Sequence, residues 1–275
     1  MVIKFDENFG KKLIYFQIIY NLIIKFFISV LHLPTFLNYI TDVVTLLLLI
    51  VIYKKFQKTF YKIHYKSSLF VIFLFSISLL LGIIFNLVPL QLLLWAIRNT
   101  YRFFVFFIAC VVCLDSKDVE RILKILFDFQ FINIIACMFE FFVLGCEQDN
   151  LGGIFGIESG CNGGLNLYFC ILTTVTLVEY VYKKTNITSV IYILLSTIVI
   201  SAMAELKFFY VELIFIIILI FLLTKPNLKK VLLVVSFIFI LSIGMNIFKV
   251  MYPLHYDVLT NKDMFLSYFS SAGTG

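Results

Sequence analysis

Charge is scarce in this chain. Asp, Glu, Lys and Arg make up 14% of its 275 residues, whereas 62% of the residues are hydrophobic. A soluble globular domain carries about 25% charged and about 45–50% apolar residues, so this composition excludes an ordinary soluble domain. The composition instead predicts an all-α polytopic membrane protein.

Proline and histidine are also scarce. The four prolines lie between or beside the apolar runs, which leaves the predicted helices largely unbroken. The three histidines are far apart in sequence, and no HExxH zinc motif occurs. The phosphate-binding patterns G-x-x-x-x-G-K-[ST] and G-x-G-x-x-G are absent as well. We therefore predict no metal, no cofactor and no nucleic-acid partner.

Nine apolar runs approach the length of about 20 residues that crosses the hydrocarbon core of a bilayer. They cover residues 13–33, 36–53, 68–87, 92–114, 122–145, 164–182, 188–204, 208–224 and 231–249. We predict a bundle of about nine transmembrane helices, forming a transmembrane domain over 1–249. Residues 250–275 are predicted to begin an extracytoplasmic loop.

The basic residues alternate between the connecting segments and predict the orientation. The amino terminus and every second connection carry 16 of the 22 basic residues. These connections are 54–66, 115–124, 183–187 and 225–230. The opposite connections carry only Lys207, Lys249 and Lys262. The positive-inside rule therefore predicts a cytoplasmic amino terminus and an outer carboxyl end.

The stretch 188–224 tests this topology. As a single helix its 37 residues would extend about 55 Å, which is far longer than a bilayer is thick. Both of its ends are rich in lysine, so both ends should be cytoplasmic. We predict a hairpin whose tip, Ala204-Glu205-Leu206-Lys207, reaches the outer surface.

Arg98 and Arg102 interrupt the apolar run 92–114, one helical turn apart and therefore on the same helix face. Each costs roughly 2.5–3.5 kcal/mol at a membrane centre, and the thirteen Leu, Ile, Phe and Val residues return roughly 0.3–0.6 kcal/mol apiece. The free energy of inserting this run into a membrane is therefore near zero. A segment so close to neutrality is not expected to carry two like charges without a function. We predict that the pair binds an anion, phosphate above all, from the outer side. The alternative is structural pairing with a membrane carboxylate such as Asp42 or Glu140, and the two roles are compatible.

Three further polar residues are candidate substrate-binding residues. Asp42 lies about two turns into its apolar run, where an acid is usually functional or paired, either as a counter-ion or in an ion path. Lys207 and Glu205 lie at the predicted hairpin tip. Lys207 either contacts a ligand or extends its ammonium to the membrane surface.

The hydrophilic segment 146–163 is rich in glycine and contains no basic residue. Such a backbone either folds closely around a ligand or forms a simple connection. Its carboxylates are Glu147, Asp149 and Glu158, whose spacing matches no familiar metal site. Cys146 and Cys161 flank the segment and can form a disulfide if it faces an oxidising compartment.

Several segments, in this order, resemble the O-antigen and capsule polymerase and O-antigen ligase superfamily of bacterial surface polysaccharides. The matching segments are LPTFLNYITDVVTLLLL, RNTYRFFVFF with Arg98 and Arg102, GGIFGIESGCNGGLNLYF, and AELKFF with Lys207. The final MFLSYFSSAGTG resembles the start of the large extracytoplasmic loop of that family. The similarity extends over essentially the whole chain, although each segment matches loosely.

The resemblance implies a multi-pass protein of the bacterial cytoplasmic membrane that acts on undecaprenyl-diphosphate-linked oligosaccharides. A glycan is transferred from its lipid diphosphate to the non-reducing end of another lipid-linked repeat unit, without a metal. Arg98 and Arg102 are then the catalytic residues, because they hold the diphosphate leaving group. Membrane lipid, and a flippase and a chain-length regulator of the same pathway, are the implied partners.

Family members continue through further helices beyond the outer loop, so the resemblance implies that this chain is an amino-terminal portion, and it leaves open whether that portion is active by itself. Two other functions use the same outward arginines. One is a transporter or flippase of a lipid-linked or anionic substrate. The other is a non-catalytic membrane subunit of a glycan assembly complex.

Overall fold

The computed structural model describes residues 7–59, 63–86, 89–182, 184–223, 228–264 and 267. All regular structure within these ranges is helical, and no strand occurs there. The prediction of an all-α fold is confirmed.

Ten α-helices follow one another along the described parts of the chain. Their bounds are α1 Glu7–Ser29, α2 Ile40–Thr59, α3 Ile63–Asn86, α4 Leu90–Cys113, α5 Ser116–Phe142, α6 Asn162–Val181, α7 Ile187–Met203, α8 Lys207–Leu223, α9 Leu228–Met251 and α10 Pro253–Thr260. Short 3-10 turns lie at Thr35–Tyr39, Gln148–Asn150 and Gly153–Phe155. Each of the nine apolar runs therefore corresponds to one of the helices α1 to α9, with shifted ends.

Within the described residues, six helical stretches are long and apolar enough to cross a membrane. They are Asn8–Ser29, Thr35–Lys54, Gln91–Cys113, Ser116–Phe142, Asn162–Val181 and Lys230–Met251. Leu69–Ile83 and Ile187–Met203 are shorter apolar stretches. The nine crossings and the cytoplasmic amino terminus stay predictions. Four of the lysines that support this orientation (Lys4, Lys62, Lys183 and Lys225) lie outside the described residues, as does most of the segment MFLSYFSSAGTG.

Helix α5 begins well before the predicted residue 122, because Asp115 and Asp118 cap its first turn. The Asp118 N–H donates to Asp115 Oδ1 at 3.0 Å, and the Asp115 N–H donates to Asp118 Oδ2 at 3.1 Å. This reciprocal cap satisfies two of the N–H groups at the helix start. Lys11 of α1 pairs with both carboxylates, and its Nζ lies 2.9 Å from Asp115 Oδ2. The Lys11 ammonium, followed by the Asp118 N–H, lowers the pKa of Asp115 to about 2.

The chain divides into two compact units. Unit 1 comprises Met1–Ile24 and Leu33–Ile122. In this unit α2 packs along α4, and α1 completes an apolar core with them. The core side chains include Ile14, Val44, Leu48, Val51, Val105, Ile108 and Ala109. A Cβ at Gly10 would lie 2.7 Å from Cys113 Sγ, so the absence of a side chain lets α1 approach closely.

Unit 2 comprises Lys25–His32 and Leu123–Gly275. Helix α7 packs against α9 and α6, and α6 packs against α8. The largest fully buried side chains of these helices include Leu165, Phe169, Leu177, Ile193, Leu194, Ile198, Phe209 and Phe248. A Cβ at Gly244 of α9 would collide with the Ile198 side chain of α7. A glycine at this crossing therefore sets how closely the two helices pack.

The prediction that residues 188–224 form a hairpin is confirmed. Helix α7 ends at Met203 and α8 begins at Lys207, which leaves a three-residue turn. Glu205 in that turn has a φ of 55°, in the left-handed region that reverses a chain direction. The Leu206 N–H donates to the Ser201 carbonyl at 2.8 Å and closes the end of α7.

Candidate functional site

Arg98 and Arg102 lie near the middle of α4 in unit 1. Both side chains contact α2. Pro89 caps the start of α4, and no proline or glycine interrupts the helix as far as Cys113. With a spacing of four residues, both guanidinium groups lie on the face that packs against α2. The prediction that they share one face is confirmed.

Asp42 of α2 contacts both arginines. The Nε and Nη2 groups of Arg98 donate to Asp42 Oδ2 at 3.1 and 2.6 Å. Arg102 Nη1 lies farther away, 3.6 Å from Asp42 Oδ1. The counter-ion role predicted for Asp42 is therefore confirmed. Glu140, the other predicted counter-ion, belongs to unit 2 and has different contacts there.

Thr41, which precedes Asp42, fixes the second arginine. Its hydroxyl donates to the Asn38 carbonyl at 2.8 Å, so its oxygen is left to act as an acceptor. Arg102 Nη1 donates to this oxygen at 3.0 Å. Two residues before Thr41, at the end of the 3-10 turn, Tyr39 places its ring 5.0 Å from Arg98 Cζ, which is within the range of a cation–π contact. We call Tyr39, Thr41, Asp42, Arg98 and Arg102 the arginine cluster.

The arginine cluster carries one net positive charge, because two guanidinium groups face a single carboxylate. The side chains of Arg98, Arg102 and Asp42 are 35%, 37% and 26% exposed, so the charges remain accessible. Beyond Arg102, α4 turns apolar and packs into the core of unit 1. A half-buried, positively charged cluster bounded by apolar packing on one side can bind an anionic group that approaches from the other.

A second cluster of ionisable side chains lies in unit 2 at the turn between α7 and α8. Lys207 Nζ lies 2.7 Å from Glu205 Oε1 and 3.0 Å from His255 Nδ1, and His255 Nε2 lies 3.0 Å from the same Glu205 oxygen. We call these three residues the tip cluster. Residues two apart in a helix do not share a face, but Glu205 lies in the left-handed turn and can therefore reach Lys207. A carboxylate, an imidazole and an ammonium together can exchange protons or bind hydroxyl groups.

His255 is the residue that the sequence did not reveal. It lies on α10, which begins at Pro253 directly after α9. The Tyr252 hydroxyl donates to the Met203 carbonyl at 2.9 Å and so anchors the start of α10 against the end of α7. Because 48 residues separate His255 from Lys207, no local pattern in the sequence indicates that they meet.

Unit 2 also contains a line of fully buried polar side chains along α5, which we call the α5 stripe. Its members are Gln130, Asn133, Cys137 and Glu140. Glu140 Oε2 accepts the N–H groups of Gly152 and Gly153 at 3.2 and 2.6 Å. Asn133 Oδ1 accepts the Ile154 N–H at 3.2 Å. The stripe therefore fixes the glycine-rich segment against α5, and its role is architectural.

The glycines of that segment are required by close packing. At Gly153, whose φ is 59°, a Cβ would collide with the Asn133 carboxamide. At Gly152 a Cβ would lie 2.5 Å from Cys161 Sγ. The sequence left open whether this segment folds around a ligand or forms a simple connection. In the structure it packs into unit 2.

The two cysteines that flank the segment are free thiols. The Cys161 thiol donates to the Asp149 carbonyl at 3.4 Å, and burial raises its pKa to about 12. Among the described residues, no group of three or more His, Cys, Asp or Glu side chains is arranged to hold a metal ion. The carboxylates have other contacts: Asp149 accepts from Asn162 at 2.7 Å, and Glu158 lies 3.5 Å from Lys25 Nζ.

We compared the chain with protein-family models, with curated proteins and with solved structures, and none of the three comparisons gives a match.

Proposed function

We propose that this chain is a polysaccharide polymerase of the cytoplasmic membrane of a bacterium, or the arginine-bearing portion of one. It joins undecaprenyl-diphosphate-linked oligosaccharide repeat units on the outer face of the membrane. The observation that carries this proposal is the arginine cluster. Two guanidinium groups share one carboxylate between α2 and α4, and their side chains are about one-third exposed.

The choice of arginine supports a phosphate ligand. Only three of the 22 basic residues are arginines: Arg98, Arg102 and Arg121. Lysine supplies nearly all the positive charge at the predicted cytoplasmic ends of the helices, where a point charge is sufficient. A guanidinium donates two parallel hydrogen bonds to a phosphate and keeps its charge inside a membrane, which an ammonium does less well.

A diphosphate leaving group gives the arginine cluster a chemical role. When the bond between the glycan and the lipid diphosphate breaks, negative charge accumulates on the departing diphosphate. A fixed positive charge directed at that group stabilises the transition state more than the ground state. In the predicted topology α4 enters the membrane from outside, so the arginines lie in its outer half and meet substrate from that side.

The resemblance to the polymerase and ligase superfamily supports the same reaction. Of the segments that resemble the superfamily, RNTYRFFVFF contains both arginines and LPTFLNYITDVVTLLLL contains Asp42. These two helices form the arginine cluster. Lys207 and Glu205 stay predicted substrate contacts, and in unit 2 they are joined by His255.

The test uses proteoliposomes that contain the purified chain and an undecaprenyl-diphosphate-linked oligosaccharide repeat unit. We expect mass spectrometry to detect lipid-linked products that are longer by whole repeat units. Arg98→Ala should abolish these products, while Arg121→Lys, a substitution at the third arginine, should leave them unchanged.

The same preparation separates the alternative functions. Movement of the lipid-linked substrate between leaflets without elongation would show a flippase or transporter and contradict the polymerase. Binding of the substrate without elongation or movement would show a non-catalytic subunit. Product distributions that are unchanged in both Arg98→Ala and Arg102→Lys would remove the arginine cluster from the reaction.

A further inference from the structure

We infer that the two arginines have different tasks: Arg102 contacts the phosphate group, and Arg98 is a positioning residue that acts through Asp42. This inference rests on the proposed function, because it assigns roles within the same site. The division follows from the hydrogen bonds that the protein already makes to each guanidinium group.

The ligand-binding edge of Arg98 is occupied by protein. A guanidinium presents its Nε–H and one Nη2–H in parallel, and this edge matches the two oxygens of a carboxylate or phosphate. In Arg98 both groups donate to Asp42 Oδ2, at 3.1 and 2.6 Å. The Tyr39 ring lies 5.0 Å from its Cζ and covers part of the guanidinium face. Arg98 therefore has little remaining capacity to bind an anion bidentately.

The corresponding edge of Arg102 has no partner in the part of the chain that the structure describes. Among contacts with the described residues, those of Arg102 involve Nη1 alone, which donates to Thr41 Oγ1 at 3.0 Å and lies 3.6 Å from Asp42 Oδ1. These contacts hold the end of the guanidinium and leave Nε–H and Nη2–H directed elsewhere. Arg102 is thus fixed at one nitrogen and open along the edge that binds phosphate.

Charge balance agrees with this division. Asp42 neutralises Arg98, to which it is closer, and the net positive charge of the cluster resides on Arg102. One guanidinium fork with one net charge suits a single phosphate group of a lipid phosphate or diphosphate. We therefore assign one phosphate group of the ligand to Arg102. The chemistry is the same whether the phosphate belongs to a lipid or is free in solution.

The experiment measures affinity with the purified chain in lipid nanodiscs, using undecaprenyl diphosphate, undecaprenyl monophosphate and inorganic pyrophosphate as separate probes. Arg102→Lys keeps the charge but removes the fork, so we expect affinity for both lipids to fall roughly 10–100-fold. Arg98→Lys keeps a charged partner for Asp42, so we expect a loss of about threefold or less. Arg121→Lys is the matched control and should bind as the wild type does.

A second variant tests the positioning directly. Thr41→Val has nearly the same shape but removes the oxygen that accepts from Arg102 Nη1. We expect it to weaken lipid binding about fivefold to tenfold while leaving the thermal unfolding midpoint close to that of the wild type. In the double variant with Arg102→Lys, the effect of Thr41→Val should largely disappear, because the group that it orients is gone.

The outcomes separate this inference from the proposed function. Equal losses in Arg98→Lys and Arg102→Lys, with tight binding by the wild type, would overturn the division of roles and leave the polymerase standing. Binding of inorganic pyrophosphate that depends on Arg102, without binding of either lipid, would support the division and contradict the polymerase. If the wild type binds none of the three probes, both proposals are wrong.

Discussion

Both units contain polar side chains within apolar helices, but in different environments. In unit 1 the charged side chains of the arginine cluster are between 26% and 37% exposed, and they carry one charge in excess of neutrality. In unit 2 the α5 stripe is entirely buried, and most of its hydrogen bonds go to backbone groups or to other members of the stripe. An accessible cluster with a net charge is suited to bind a ligand of opposite charge. Buried polar groups that hold the backbone in place are suited to stabilise the fold.

The difference has a physical basis. A polar group that is buried within a helical bundle is stable only if the protein supplies hydrogen-bond partners. Asn133 and Glu140 obtain theirs from backbone N–H groups of the glycine-rich segment, and Gln130 donates to Ser196 of α7. A side chain that binds a ligand needs hydrogen-bond donors that are not already occupied by other groups of the protein. Arg102 has such donors along one edge of its guanidinium. Substitutions in the α5 stripe should therefore change stability, and substitutions in the arginine cluster should change affinity.

The largest effect is expected in unit 2 for Glu140→Ala. It leaves the N–H groups of Gly152 and Gly153 without their acceptor and opens a cavity, so we expect a loss of about 3 kcal/mol in unfolding free energy. The matched control Glu140→Gln retains an oxygen that can accept both N–H groups, and its loss should be smaller. Thermal unfolding in detergent, followed by circular dichroism, measures both. A Glu140→Ala protein as stable as the wild type would contradict an architectural role for the stripe.

The next effect tests the packing of unit 2. Gly244→Ala forces α9 away from Ile198 of α7, and overpacking of this kind costs about 1–3 kcal/mol. Gly82→Ala in α3 of unit 1 is the matched control, because a Cβ there has no neighbouring atom within 4 Å. It should be neutral or slightly stabilising, since alanine favours a helix more than glycine does. If the two substitutions shift the unfolding midpoint equally, the close crossing of α7 and α9 is not essential.

The third effect concerns affinity in unit 1. Asp42→Asn retains an oxygen that can accept from Arg98, but it removes the only carboxylate of the arginine cluster and raises its net charge from one to two. At an effective dielectric constant of about 20, we expect undecaprenyl diphosphate to bind roughly tenfold more tightly. The gain should shrink at high salt, because the arginine cluster is partly exposed. Weaker binding by Asp42→Asn would show that its positioning of the arginines outweighs its charge.

The smallest effect is a pH dependence at the start of α5. The folded pKa of Asp115 is about 2, below its ordinary value of 3.8, so its ion pair with Lys11 stabilises the fold above pH 4 and is lost as the pH falls toward 2. In Lys11→Met this contribution is absent. The unfolding midpoint of the variant should therefore fall less than that of the wild type between pH 4 and pH 2. Parallel curves for the two proteins would exclude the contribution of this ion pair.

The sequence predicts the elements that depend on composition and local spacing. The long apolar runs predict the helices α1 to α9, and the lysine-rich ends of 188–224 predict the hairpin of α7 and α8. The spacing of Arg98 and Arg102 predicts that both lie on one helix face. Asp42 was one of two candidate counter-ions, because an acid within an apolar run is usually functional or paired, and the sequence could not distinguish it from Glu140. Asp115 and Asp118 form a cap within the predicted connection 115–124, so α5 begins at Ser116, earlier than the apolar run 122–145 predicts.

The parts that the sequence did not predict all depend on contacts between distant segments. Nothing near Lys207 in sequence indicates that His255 approaches it, because α10 reaches the turn only after α9 has crossed unit 2. The sequence offered Glu140 as a counter-ion for the arginines, but in the structure it accepts from Gly152 and Gly153. Its partners are backbone N–H groups of glycines, and a glycine-rich segment carries no pattern that names the helix it packs against.

The most direct test of the central claim uses the scarcity of arginine in this chain. With ¹⁵N-labelled arginine, only Arg98, Arg102 and Arg121 contribute guanidinium signals, and solid-state NMR can measure their dipolar coupling to the ³¹P nuclei of undecaprenyl diphosphate in bilayers. We expect coupling at hydrogen-bonding distance that is lost in Arg102→Lys and retained in Arg121→Lys. Absence of any ³¹P–¹⁵N coupling, or coupling that persists unchanged in Arg102→Lys, would contradict the assignment of Arg102 as the phosphate-binding residue.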